Sequence, residues 1–275
     1  MSAAPSSVPN QTIKPQTRIE KLFQLTKTLQ FAWFCGHAIT LVFSTLYFIT
    51  YCPKIYRVAY AGVLESFGII TYQHYYLKQS SLQDRSLTPS ALLLNDDLLY
   101  FGMAFVWFIT PRFALSLVPY AVFSLFHVLI YCKSVLLPQV FDMSPGSKCV
   151  GAISNFIHQY NERSMYWMGS VEIFTWVWLT LRALLFRRRS WIVWLSYSFF
   201  LKVRFENSKY IKSSFAQWRV RLDGIVSHSS VPPMVKQWYH RFEVLLLKVS
   251  RYRLSKDTTT ANPSPTTQAP RPHYQ

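Results

Sequence analysis

The residues of this chain able to do chemistry in apolar surroundings are His37, Glu65, His74, His127, Glu172 and Arg182, each set in a hydrophobic run. An acid in the middle of a membrane span costs about 2.5 to 3.5 kcal/mol unless it is paired, so such groups are functional candidates. Glu65, His127 and Glu172 would suit a proton path, a small-molecule transporter or a lipid-modifying membrane enzyme. The competing reading is structural: the groups pair with one another, an arginine lowers the cost of an acid, and the bundle is held together. Six scattered groups define no pathway, and Glu65, His127, Glu172 and Arg182 are therefore read as structural.

Other chemistries lack their residues. The sequence contains no H-E-x-x-H, G-x-S-x-G, P-loop or dinucleotide fingerprint, and it has only 8 Gly from which to build phosphate-cradling loops. Asn95-Asp96-Asp97 fits a helix cap and first turn better than a magnesium site, which would need further acids at helical spacing. Cys35, Cys52, Cys132 and Cys149 are far apart and form no C-x-x-C pair, so neither a disulfide framework nor a zinc site is expected. Cys52 and Cys132 have juxtamembrane neighbours of the kind that accompany S-palmitoylation, but small buried thiols are commoner. No cofactor, no metal and no enzymatic activity are expected.

Composition indicates which elements must position these groups. The 275 residues carry 29 Lys plus Arg against 12 Asp plus Glu, a net charge of +17, yet 51% are hydrophobic and 17% aromatic. Mean hydropathy is still +0.13. Charges and apolar residues must occupy different stretches, which predicts an all-α, multi-spanning helical membrane protein with basic surfaces. Residues 31–52 hold 22 residues without a formal charge, about 33 Å of helix against a hydrocarbon core of roughly 30 Å. Residues 165–186 form a second clear span, stopped by Arg187-Arg188-Arg189, a signal that belongs on the cytosolic side. Residues 55–77 are apolar but carry Arg57, Glu65 and His74. Residues 98–132, interrupted at Thr110-Pro111-Arg112, predict either a hairpin or one long bent span.

The charges put both ends on the cytosolic side, so an even number of spans follows, and four are expected. The first 30 residues hold Lys14, Arg18, Lys21 and Lys27 against Glu20, and residues 187–275 hold 16 basic against 4 acidic residues. Residues 1–30 lack the order of a cleavable signal peptide, so the first span is expected to be the anchor. Thr17 and Glu20 have capping-box spacing, which starts a short amphipathic helix before that span. The Asn10 sequon would stay unmodified on the cytosolic side.

The stretch from 187 to 256 reads as a basic membrane-surface region. Residues 190–201 (SWIVWLSYSFFL) are too few to span and suit an aromatic belt at headgroup level. Ile211, Phe215, Trp218, Leu222 and Ile225 then recur at intervals of 4, 3, 4 and 3, with Lys212 and Arg219 beside them. After Pro232-Pro233, Val235, Trp238, Phe242, Leu245 and Val249 repeat the pattern, with Arg241 and Arg251 on the polar side. Two tandem amphipathic helices are predicted, facing the bilayer and its anionic cytosolic leaflet. Regular 3-4 spacing hides the aromatics on one face and no nucleic-acid recognition motif accompanies them, so no nucleic acid is expected. A nuclear transport receptor reading the Arg/Lys clusters is a compatible partner. The Thr/Pro-rich tail, 257–275, is expected to be disordered.

Phe123-Ser124-Leu125-Phe126-His127 with Tyr131 and Lys133, Asn161-Glu162, Glu172-Ile173-Phe174, and the aromatic run ending in Lys202-Val203-Arg204-Phe205 resemble the transmembrane protein 33 family over roughly residues 20–250. The resemblance implies a multi-spanning, non-enzymatic protein of the endoplasmic reticulum and nuclear envelope. It further implies a role in shaping tubules and sheets and in organising nuclear pores, with reticulon-type proteins and nucleoporins as partners. It carries over His127 and Glu172 as structural markers.

Overall fold

The computed structural model describes residues 17–77, 95–144, 146–186 and 190–252, which are helical and contain no strand. Asn10, residues 78–94, Arg187-Arg188-Arg189 and residues 257–275 lie outside the described residues.

Helix α1, Arg18–Thr26, begins with the expected capping box: Thr17 Oγ1 accepts from the Glu20 amide at 3.3 Å, and Glu20 Oε2 accepts from the Thr17 amide at 2.9 Å. Thr28 caps α2, Leu29–Thr50, which is long and apolar enough to cross a membrane. The chain reverses at Tyr51, whose φ of 53° is left-handed, and Pro53 starts α3, Pro53–Tyr72, prolonged by a π turn at Gln73–Leu77. These two helices pack backbone against backbone. A Cβ on Gly62 would stand 2.8 Å from the Gly36 carbonyl oxygen, and one on Gly36 would stand 2.9 Å from the Ser66 amide. Small residues at that crossing replace the hydrophobic driving force that lipid cannot supply between helices.

Residues 98–132 form a hairpin. Helix α4, Asp96–Ile109, is capped by the Asn95 side chain, as expected, and stops at Thr110 before Pro111, where the backbone is extended. A 3-10 turn at Ala114–Ser116 leads into α5, Leu117–Tyr131, then a π turn at Cys132–Leu136 and the short α6, Leu137–Phe141. Together residues Ala114–Phe141 make the second helical stretch able to cross a membrane unaided. Tyr120 donates its hydroxyl to the Tyr100 carbonyl at 3.0 Å, and the Tyr100 and Phe123 rings lie 5.0 Å apart. In a continuous span residues 100 and 120 would be about 30 Å apart.

Helix α7, Lys148–Leu184, has 37 residues and runs well ahead of the expected span at 165–186. Helix α8, Ser190–Asn207, differs more from expectation. Its aromatic run does not simply lie at headgroup level: Val193, Tyr197 and Phe200 join Tyr60, Phe67, Tyr100, Trp107 and Leu179 in one core cluster. Trp191, Ile192, Leu195 and Phe199 remain exposed on its outer face. Burial at 193, 197, 200 and 204 follows the helical period, but aromatics on every side conceal that period in the sequence. Membership of the core cluster thus extends past residue 186, into α8.

Helices α2, α3, α4, α5, α7 and α8 run between the same two ends of the bundle. At one end Arg112 reaches the Tyr51 carbonyl, Arg57 the Trp107 and Thr110 carbonyls, and Arg182 the Ser190 hydroxyl. Cations there meet the carbonyl-rich C-termini of α2 and α4. At the other end lie the Phe34–Tyr131 ring pair, the Arg204–Asp96 ion pair and α1, whose Lys21 is 2.5 Å from Asp142. Helices α9, Lys209–Ser227, and α10, Pro233–Arg251, leave from this second end. Phe186 and Ser190, which flank the arginine triplet, therefore lie at the end opposite to α1 and α9. Helices α4 and α8, at 14 and 18 residues, measure about 21 and 27 Å, shorter than the roughly 30 Å hydrocarbon core.

Candidate functional site

Among the described residues Glu172 is the most buried acid, 1% exposed, at the junction of α4, α7 and α8. Tyr100 donates its hydroxyl to Glu172 Oε1, Tyr197 donates to the Glu172 carbonyl at 3.2 Å, and Arg204 Nε stands 3.8 Å from Oε2. The same guanidinium holds Asp96 at 2.5 Å and lies 5.0 Å from the centroid of the Tyr100 ring. Glu172 is thus paired with an arginine, as its placement required, but the arginine is Arg204. Arg182 lies on the next turns of α7, bonded to Ser190.

Glu65 and His74 are exposed on α3 and the turn that follows it, and Glu65 forms no ion pair among the described residues. His37 and His127 meet between α2 and α5, ring centroids 4.6 Å apart, with Trp33 edge-on to both. His37 Nδ1 lies 3.0 Å from Ser124 Oγ, while its buried Nε2 has no partner. The apolar ring of Phe67 stands between this pair and Tyr100. Glu65, His127 and Glu172 are therefore not brought together. Among the described residues no group of three or more His, Cys, Asp or Glu converges.

The two amphipathic helices form where the stripes predict, yet the stripes have different fates. Ile211 is fully buried, which corrects its assignment to the membrane surface. The first half of α9 lies on α7, where Gly169 makes room: a Cβ there would stand 2.4 Å from Ser214 Oγ. Ser214 donates to the Tyr166 carbonyl, and Phe215 packs edge-on to Phe205 at 5.4 Å. Trp218 is half-buried under Arg221, whereas Leu222 and Ile225 are exposed. Helix α10 buries none of its residues, and Val235, Trp238, Phe242, Leu245 and Val249 are all open.

Polar residues join α10 to α9. Arg219 pairs with Glu243, Tyr239 donates to Asp223 at 2.6 Å, and Lys236 Nζ reaches the Ser227 carbonyl at 3.4 Å, so the helices are antiparallel. Partial burial first, then the Asp223 carboxylate, push the Tyr239 phenol up to about 12. On each helix the apolar residues precede these contacts by one position: Trp218 and Leu222 on α9, Val235, Trp238 and Phe242 on α10. One position is a rotation of about 100°. In an antiparallel pair, equal rotations bring both stripes to the same side. Lys212, Arg241 and Arg251 are exposed, and Arg241 lies 5.9 Å from the Trp238 ring centroid.

Residues 14–251 match the family model described as Transmembrane protein 33/Nucleoporin POM33. The chain belongs to this family. It is 43% identical to the Pore membrane protein of 33 kDa of Saccharomyces cerevisiae, covering 93% of this chain and 96% of that protein. It is 28% identical to Tetra-spanning protein 1 of Schizosaccharomyces pombe, over 94% of this chain and 99% of the relative. A further relative, the Pore and endoplasmic reticulum protein of 33 kDa of Saccharomyces cerevisiae, is 27% identical over 77% of this chain and 87% of its own length. No solved structure matches. This Transmembrane protein 33/Nucleoporin POM33 family member is a multi-spanning helical membrane protein of the nuclear pore membrane and endoplasmic reticulum. The motifs that carried the resemblance are packing positions: Phe123 on Tyr100, His127 on His37, Glu162 on Lys209, and Glu172 with Arg204. Tyr100 and Asp96, which complete the Glu172 site, had no sequence signal beyond the helix cap.

Proposed function

We propose that this protein organises and bends the membrane of the endoplasmic reticulum and nuclear envelope, and thereby supports nuclear pores, without catalysing a reaction. The observation that carries the proposal is the α9–α10 hairpin: Arg219–Glu243 and Tyr239–Asp223 join its helices through polar side chains, and its two apolar stripes share one open face. Trp238, Phe242, Leu245, Val249, Leu222 and Ile225 enter the acyl boundary, while Lys212, Arg241 and Arg251 meet anionic headgroups. Each cation near such a leaflet contributes about 1 kcal/mol, and the apolar area adds to it. Insertion into one leaflet expands it relative to the other and favours positive curvature.

Helices α1 and α9 leave from the same end of the bundle, which supports placing that end at the cytosolic face; Phe186 and Ser190 then lie at the opposite face, which goes against the reading of Arg187-Arg188-Arg189 as a cytosolic stop signal. A reticulon-type protein, a nucleoporin or a nuclear transport receptor is then within reach of the basic surface. The experiment is fluorescence localisation of the full chain beside a truncation after Ser230 and a Trp238→Asp/Phe242→Asp variant, in cells with marked tubules and pores. Helix α10 buries nothing, so both variants leave the bundle intact. Concentration of the full chain at pores or tubules, with even spreading of both variants, is the expected result. Identical distributions would sink the proposal.

A further inference from the structure

We propose that the groove between α5 and α7 at Arg163 binds the headgroup of an anionic phospholipid. A cavity of about 270 Å³ opens there, lined by Val122 of α5 and by Tyr160, Arg163, Ser164, Trp167 and Met168 of α7. Tyr160, Arg163, Ser164 and Trp167 recur at i, i+3, i+4 and i+7, which puts them on one face of the helix.

Arg163 stands where the polar half of α7 gives way to the apolar stretch that starts at Met165. That is headgroup level, where Trp and Tyr rings keep one edge in hydrocarbon and one in water. Its charge is available. Neighbouring Glu162 is engaged by Lys209 at 3.4 Å, and Arg163 is exposed and makes no ion pair among the described residues. A guanidinium presents paired N–H donors that match two phosphate oxygens, and the Ser164 hydroxyl adds a donor beside it. Met168 and Val122 continue the groove toward the apolar half, which gives an acyl chain a wall to follow. The site is independent of the α9–α10 hairpin and of the function proposed for it.

The test uses the full-length chain purified in detergent, with lipid retention read by native mass spectrometry. Dioleoylphosphatidylserine, dioleoylphosphatidylcholine and inorganic phosphate are the probes. The wild-type chain should retain phosphatidylserine at least about fivefold better than phosphatidylcholine, and Arg163→Gln should remove that preference, the size expected of one interfacial cation. Arg163→Lys should restore part of it, and Trp167→Ala should lower retention of both lipids. Arg241→Gln, on the hairpin, should leave the preference unchanged. Equal retention of the two lipids by the wild-type chain, or an unaltered preference in Arg163→Gln, overturns the assignment. Loss in Arg241→Gln matching that in Arg163→Gln overturns it in favour of the hairpin, and displacement of phosphatidylserine by millimolar inorganic phosphate overturns it in favour of a free anion.

Discussion

Arg204 on α8 stands between Asp96 on α4, at 2.5 Å, and Glu172 on α7, at 3.8 Å, so one cation ties three helices together inside the core. Removing a single partner from a buried pair leaves an uncompensated charge and costs about 3 to 5 kcal/mol. Arg204→Ala should therefore sharply lower the thermal midpoint of the detergent-purified chain, while Glu172→Gln, which keeps a hydrogen-bonding partner for Tyr100, should cost less. Equal midpoints for wild type and Arg204→Ala would show that the cluster does not hold the bundle.

Ile211 and Ile225 belong to the same stripe but meet different surroundings, 0% against 64% exposed. Ile211→Ala should destabilise by about 2 to 5 kcal/mol, as buried aliphatic truncations do. Ile225→Ala should leave stability unchanged and weaken attachment of the hairpin to anionic membranes. Thermal unfolding and protease accessibility of α10 in liposomes separate the two effects; a large loss of stability in Ile225→Ala would contradict the exposed placement.

Gly169 admits α9 to the surface of α7. Gly169→Val should lift the first half of α9 from its seat, because even a Cβ falls within 2.4 Å of Ser214 Oγ and 3.2 Å of the Tyr210 carbonyl oxygen. Limited proteolysis should then cut between residues 207 and 230, where the wild-type chain resists. A cleavage pattern like that of the wild type would show that α9 docks without the glycine.

Tyr239 couples the hairpin to alkaline pH. Its folded value of about 12 lies above the ordinary tyrosine value, so the neutral phenol is the form favoured by folding. The contribution is fully present below pH ~10 and is lost as pH rises from there through the folded value. Protease sensitivity of α10 should accordingly rise over that window in the wild-type chain, and Tyr239→Phe, with no proton to lose, should flatten the rise. An unchanged alkaline transition in the Phe variant would assign it to another group.

Local signals that act over a few residues were legible directly. The Thr17–Glu20 box, the Asn95 cap and the break at Pro111 appear where their residue types require, because each concerns backbone groups within one turn. The apolar stripes at 211–225 and 235–249 were also legible as periodicities. Their partners were not, since periodicity shows that a face is apolar without saying what covers it.

Sequence by itself determined that the chain is helical, membrane-spanning, basic at both ends and amphipathic after residue 208, because length, charge and spacing are properties of the chain alone. Tertiary structure decided that Glu172 pairs with Arg204, 32 positions away in the sequence, and that Ile211 is covered while Ile225 is open. It also decided that α8 enters the core and that the hairpin is joined through its polar residues. These outcomes depend on which helices lie side by side, and that is set by close approaches such as Gly36 on Gly62 and Gly169 on Ser214, where the absence of a side chain on one helix is meaningful only once the other helix is in place.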